Sequence, residues 1–468
     1  LTIDTTFAQK MIPFGAASNA VLTVPTDLQA LFNLGTEIQV MNLTTNQIRN
    51  LELEDVKSLS TAQIFSLSGT QLNALNTSQV ENLMTSQVRA LSVAQISNLS
   101  SSNLNALNTA HFAVLSTLQI LNLKTLQISS LETADLVALN TIQIQSIAPS
   151  SIATLRAEEI TALTTSQVAV LKIAQLNSLS SSQMASFETL DLQALTTIQV
   201  IALSKAQLNA MSTTQMPNLL TSQIRALTAI QISSLSSVNL NSLTSIQFQA
   251  LSTAQVAGLS TQQIASLETV DLVALSSTQL RALAPSSFGA LRADEVTAFT
   301  TQQITYLSNA QISALSTTNL KTLTSDQFRA LTTSQVNSLI ANHLASLDAS
   351  NLAVLNSTQL QAITPDGIAA LTTQAIFSLT SDQITYLSSR QVAALKTTQL
   401  AAMEAIDLKA LSSRQIGALN ALQLNSLSST QMSQLLTTQV SALTLLQVPK
   451  LSSVNLNALT TSQFLRHL

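Results

Sequence analysis

LTTNQIRN-LELEDVKS-LSTAQIFS-LSGTQLNA-LNTSQVEN, residues 43–82, is a run of octads that follow one pattern. The pattern is Leu, Ser/Thr, Thr/Ser, any residue, Gln, Ile/Leu/Val, any residue, Ala/Ser. It continues without insertion or deletion to Arg466, so that fifty-three octads fill residues 43–466. An internal repeat of this regularity outranks any local motif, because each unit can bury its apolar face only by stacking on other units. Residues 1–42 fall outside the pattern, and 467–468 form a short tail.

Each octad carries a helix-start signal. With position 2 as N-cap, the Gln of position 5 falls at N3, which is the capping box S/T-x-x-E/Q. Position 1 then sits at N′ and position 6 at N4, the two ends of a hydrophobic staple. The prolines Pro149, Pro285 and Pro365 all occupy position 3, which this registration makes N1, where proline is favoured. Acids in place of Gln (Asp55, Asp135, Glu159, Asp191, Asp271, Glu295, Asp407) suit the positive end of a helix. A new cap every eight residues leaves about one and a half helical turns between caps. The expected fold is therefore all-α: a solenoid of very short helices, one per octad, wound into a superhelical rod. One continuous helix is disfavoured by the recurring Ser/Thr pairs. The alternative is a β-solenoid. Against it, period-2 alternation fails between position 6 and the next position 1, and Asn-Gly hairpin turns are missing.

Composition sets the outer limits. Of 468 residues, 46% are hydrophobic and only 9% charged, which is too apolar for disorder. A net charge of −4 supplies no basic surface for nucleic acid. With no Cys, disulfides and thiolate chemistry are excluded, and export is compatible. No apolar run reaches the roughly 18 residues of a transmembrane helix. A chain opening on Leu1 is expected to be processed or partial.

Rare octads reveal a longer rhythm. Acidic octads start at Leu51, Leu131, Phe187, Leu267 and Met403, separated by steps of 80, 56, 80 and 136 residues. IAPSSIAT at Ile147 returns as LAPSSFGA at Leu283, and LSSSNLNA at Leu99 returns as LSSVNLNS at Leu235, each 136 residues on. A superhelix of about 3.4 octads per turn brings such spacings back to one face; block duplication explains them equally.

Candidate chemistry is sparse. His111 and His343 both replace the position-5 Gln, and His467 is in the tail; the first two read as fillers of a polar slot near a helix start. No Ser-His-Asp set stands out against the repeat. The groups Glu52/Glu54/Asp55, Glu158/Glu159 and Asp294/Glu295 lack any calcium-loop pattern and suit first helical turns. No catalytic residue, metal or cofactor is expected. Tyr306 and Tyr386 take the normally small position 8, as binding anchors or as gap fillers. Residues 1–42 carry the aperiodic apolar stretch MIPFGAASNAVLTV. They are expected to cap the solenoid or to dock on a neighbouring subunit through Ile12, Phe14, Val21 and Val24. Toward Arg466 the octads show no polar cap.

The helix-start string LTxxQ(V/I)xAL resembles the opening of TAL-effector repeats, with Thr364-Pro365 the nearest local match. That likeness stops after about eight residues per unit and lacks the base-reading pair and basic surface, so DNA reading is not implied. As a whole the sequence is similar to long, Cys-free, Ser/Thr/Asn/Gln-rich tandem-repeat surface proteins of bacteria. That resemblance implies an exported, non-enzymatic structural protein, extracellular or at the cell surface. Its partner would be itself, as a head-to-tail homopolymer forming a filament or surface layer. The alternative is an adhesin stalk or a module that binds a polysaccharide or solid surface. The fold expectation has a direct check: far-UV circular dichroism should show helical minima, and a strand-dominated spectrum would contradict it.

Overall fold

The structure, a computed structural model, describes residues 38–464. Ile12, Phe14, Val21, Val24 and His467 lie outside the described residues. Among the described residues there is no strand, and short helices follow one another from Ile38–Met41 to Thr461–Phe464. The all-α expectation holds, and the β-solenoid is excluded for this region.

One octad, Leu163–Val170, explains the rest. Thr164 is extended at φ −74°, ψ 153°, and the helix Thr165–Ala169 follows it. Thr164 Oγ1 accepts the Gln167 N–H at 3.2 Å, while Gln167 Oε1 accepts the Thr164 N–H at 2.9 Å. Both halves of the capping box are therefore made. The Val168 N–H donates to the Thr164 carbonyl at 2.9 Å, and the Leu171 N–H closes the turn onto the Val168 carbonyl at 3.1 Å. Leu163, Val168 and Leu171 are buried, so positions 1 and 6 form the core, as the staple predicts.

Such a helix is too short to hold itself. Its support comes from the neighbouring turn. Helices three octads apart pack together, for example Pro149–Ile152 with Ile173–Ser178, and Pro285–Phe288 with Asn309–Ala314. Side chains reach further. Gln167 Nε2 donates to the carbonyls of Leu139 at 2.8 Å and Leu136 at 3.0 Å, which are 28 and 31 residues earlier. A solenoid turn thus takes between three and four octads, where the spacing of rare octads predicts about 3.4. The chain divides into two units, residues up to Ala194 and residues from Leu195 on. The same stacking holds inside each.

Two octads depart from the expected α-helix. Met216–Asn218 and Val448–Lys450 are 3-10 helices. Each has proline at position 7, Pro217 or Pro449. Elsewhere the position-7 N–H can donate to position 3, as Asn73 does to the Gly69 carbonyl at 3.0 Å. Proline has no such hydrogen, so the last turn tightens to three-residue bonds. The prolines at position 3 are accommodated at the helix starts, as expected.

Replacing Gln167 with Met keeps the side-chain volume but removes every hydrogen bond it makes. Leaving buried backbone groups unpaired costs about 1–3 kcal/mol. Hydrogen exchange should show the loss of protection at Thr164 and around Leu136–Leu139, with distant turns unchanged.

Candidate functional site

The most elaborately built feature of the chain is the slot at position 5. A short helix leaves four N–H groups at its start and four carbonyls at its end without partners. The position-5 glutamine serves both ends at once. Its Oε1 takes the N-cap N–H of its own octad, and its Nε2 reaches the carbonyls of positions 6, 7 and 1 in the turn before. Gln79 shows the set: Oε1 to the Asn76 N–H at 2.8 Å, and Nε2 to Ile48, Arg49 and Leu51 at 3.3, 3.2 and 2.7 Å. The other cap partner is dispensable. Where position 2 is Met84, Lys124 or Leu220, the glutamine still accepts the cap N–H at 2.6–2.8 Å. The sequence reading identified the cap role of Gln and missed the bridge across turns.

Asparagine in the slot is one methylene shorter; Asn103, Asn239 and Asn455 make only the downward half, whereas Asn351 accepts its cap N–H, from Asp348, at 3.3 Å. Asn103 Nδ2 donates to Leu72 and Leu75, both at 3.2 Å. The cap N–H that it cannot reach is taken by an asparagine from the turn before: the Ser100 N–H donates to Asn73 Oδ1 at 2.7 Å. The same exchange joins Ser236 to Asn209 at 2.7 Å and Ser452 to Asn425 at 2.8 Å. The signal was present in the sequence, since an octad of type xxxxQLNx stands four octads before each of these NLN octads.

The histidines occupy the same slot. His111 is buried; its Nδ1 accepts the Asn108 N–H at 3.2 Å, and its Nε2 lies 2.7 Å from the Leu83 carbonyl. A carbonyl can only accept, so the proton sits on Nε2 and the ring is neutral. Burial holds the His111 pKa below its ordinary value, against the raising effect of its bond to Leu83. His343 makes the corresponding Nε2 contact with the Leu315 carbonyl at 2.8 Å. Both rings fill a structural position.

The acidic groups are tied up with cations. Glu54 pairs with Lys57 at 3.1 Å. Arg156 meets Glu158 at 3.3 Å and Glu159 at 2.6 Å; Arg292 meets Asp294 at 3.3 Å and Glu295 at 2.9 Å. Glu159 and Glu295 each accept the N–H of their arginine at 2.6 Å, while the arginines donate onward to the Leu131 and Leu267 carbonyls at 3.3 and 3.1 Å. An Arg/Glu pair therefore divides between two side chains what one glutamine does. Among the described residues no three His, Asp or Glu side chains gather as a metal would need.

Seven stretches match the ALTTAQ repeat: residues 48–85, 80–117, 184–221, 264–309, 304–340, 366–397 and 400–437, together just over half of the chain. The chain belongs to the ALTTAQ repeat family. Each matched stretch is long enough to contain a whole glutamine bridge of 28–31 residues. Comparison with curated proteins finds no match. Among solved structures, the chain is similar to a homology model of the full-length AP-3 complex in an intermediate open conformation. That likeness has 11% identity over 94% of this chain and 86% of that one, with a TM-score of 0.20. A structure of APUM23-GGAAUUGACGG gives 11% identity, 94% of both chains and the same TM-score of 0.20. At these scores neither likeness bears on fold or function.

What an ALTTAQ octad leaves outside is positions 2 to 4 and, to a lesser degree, position 7. Position 4 is often a large apolar residue facing solvent: Leu126, Ile142, Ile198, Ile230, Ile246 and Leu422 are all exposed. Of the two tyrosines, Tyr306 is half-buried and accepts a hydrogen bond from Gln302 Nε2 at 2.6 Å, whereas Tyr386 is exposed. Among the described residues no helix is long and apolar enough to cross a membrane.

The His111 geometry carries a prediction. Protonating Nδ1 would set a donor against the Asn108 N–H. The folded pKa lies below 6.5, so the unfolded chain takes up the proton first and stability falls as the pH drops below about 6.5. His111→Gln should remove this acid sensitivity around residues 83–112. Hydrogen exchange of that segment at pH 5 and pH 7.5 measures it.

Proposed function

We propose that the chain is a non-enzymatic structural protein that assembles head to tail into an extracellular or cell-surface filament or layer. The observation that supports this most is the open-ended glutamine bridge. Each turn donates through Nε2 to the turn before it and offers its own carbonyls to the turn after it, as Gln335 does to Ile304 and Leu307 at 2.7 and 2.8 Å. Wherever such a stack stops, one face carries carbonyl acceptors and the opposite face carries amide donors. Two unlike, complementary faces make a heterologous contact, and a heterologous contact that does not close a ring propagates as a filament. The low charge adds little repulsion between copies. In this reading the chain's partner is itself, and residues 1–42 take part in the junction through Ile12, Phe14, Val21 and Val24.

A second reading is an adhesin stalk or a module for a polysaccharide or solid surface. It is favoured by the exposed apolar residues of position 4, set among Ser and Thr. A bacterial source for either reading follows only from the resemblance to tandem-repeat surface proteins. Electron microscopy of the purified chain separates the two readings. Filaments without added ligand are expected, and isolated particles that coat cellulose or a mineral surface would favour the module. Deleting residues 1–42 should give a folded product, helical by circular dichroism, that no longer assembles. Assembly retained by that product would remove those residues from the junction.

A further inference from the structure

Position 2 and position 5 are coupled in this chain. Every octad with Asp at position 5 has Glu at position 2: Glu52/Asp55, Glu132/Asp135, Glu188/Asp191, Glu268/Asp271 and Glu404/Asp407. Apart from Ser151, Ser287, Gly367 and Ala375, the other slot fillings bring a donor toward the turn before: the amide of Gln or Asn, the Nε2–H of His, or the arginine that accompanies Glu159 and Glu295. A Glu/Asp pair in its ionised form brings none. Asp is isosteric with Asn, and Asn103 and Asn239 donate from this slot to carbonyls 28 and 31 residues back at 3.1–3.2 Å. The carbonyls in the same register below Asp135 are those of Leu104 and Leu107, and below Asp271 those of Leu240 and Leu243.

A second observation recurs in both copies. Asn105 and Asn241 each donate Nδ2 to a carbonyl 25 residues on, Ser130 or Ser266, at 2.6 Å. Their Oδ1 atoms are buried and accept nothing, although the corresponding Oδ1 of Asn73 and Asn209 accepts a cap N–H. Asn105 lines one groove together with Glu81, Asn108, Glu132 and Asp135. An unpaired buried acceptor beside a carboxyl, with backbone acceptors below it, favours the acid that keeps its proton.

We propose that Asp135 and Asp271 are proton-operated joints: with the proton on, the carboxyl donates between turns as asparagine does; with it off, the carboxylate faces acceptors and the two turns part more easily.

The surrounding charges are few. Asp135 has Glu132 in its own octad, Glu81 across the groove and neutral His111 on the packed helix Thr109–Val114; Arg156, Glu158 and Glu159 accompany the packed helix Ala157–Ala162. Asp271 has Glu268 beside it, and Arg292, Asp294 and Glu295 with the packed helix Ala293–Ala298. The other packed helix, Ser245–Ala250, carries no charge, and Ser245 Oγ donates to Asp271 Oδ1 at 3.4 Å. The arginines are committed to their own acids. Burial first, and then the neighbouring glutamate, pushes Asp135 up to about 7 and Asp271 up to about 6.

The sign follows from linkage. Between the unfolded value near 3.8 and the raised folded values, the opened state releases the proton that the closed state holds. Opening therefore increases with pH by up to about tenfold per unit for each carboxyl, and levels off above the folded value. The comparison is the full chain against the double variant Asp135→Asn/Asp271→Asn, by hydrogen exchange of residues 104–107 and 240–243, corrected for intrinsic rates, from pH 4 to pH 8. The variant should match the parent near pH 4 and become progressively more protected than it above pH 5. A difference that does not change with pH overturns the proposal. So does restoration of the parent's protection at pH 8 by millimolar Ca²⁺, which would make the pair a cation site. If the variant does not fold, infrared titration of the parent decides: a protonated carboxyl band persisting at pH 5.5 is expected, and its loss by pH 4.5 overturns the proposal.

Discussion

A primary amide bridging two turns is the interaction on which this solenoid depends. A helix of four to six residues is mostly ends, and each end exposes backbone groups that burial would leave unpaired. Long helices dilute that cost over their length. Here it recurs in every octad, and a glutamine amide meets it because it carries an acceptor and a donor on one carbon. The acceptor turns back to its own cap, and the donor goes to the turn before. Glutamate of the same shape has no donor, which is why it stands in the slot only with an arginine at its side, as Arg156/Glu159 and Arg292/Glu295 show.

The repeat therefore follows a rule of donors and acceptors more than a rule of residue types. Glutamine satisfies both demands. Histidine does so with a ring, at His111, by placing its single proton on Nε2 toward Leu83. Asn103, Asn239 and Asn455 meet half of the demand and borrow the rest from Asn73, Asn209 or Asn425 in the preceding turn. Gly367 shows a different filling: a Cβ there would stand 2.5 Å from Leu344 Cδ1, so a leucine from another octad occupies the space and would have to move aside for any larger side chain.

Much of this was legible in the order of residues. The octad period, the capping register and the burial of positions 1 and 6 are local properties, set within eight residues, and the prolines at position 3 fixed the phase. The tightening at Pro217 and Pro449 is equally local, since it follows from a missing N–H at position 7, which the consensus leaves open to any residue. The bridge across turns was not legible in one octad, since it joins residues 28 and 31 apart and depends on how many octads make a turn. Its trace lay in pairs of exceptions, such as Asn73 with Asn103 and Asn209 with Asn239. A pair of exceptions shows a contact only once the winding is known.

Those exceptions answer a problem that regularity creates. If every octad were identical, sliding one turn past the next by a whole octad would keep every staple buried and every glutamine paired, so the consensus alone leaves the winding degenerate. A slip of one octad would part Asn73 from Ser100 and leave the cap N–H above Asn103 without an acceptor. It would also carry the arginines Arg156 and Arg292 away from the Leu131 and Leu267 carbonyls. An unpaired buried group costs about 1–3 kcal/mol, and several such pairs in each unit add along a stack whose terms are local. The consensus builds each turn; its exceptions hold one turn in register with the next.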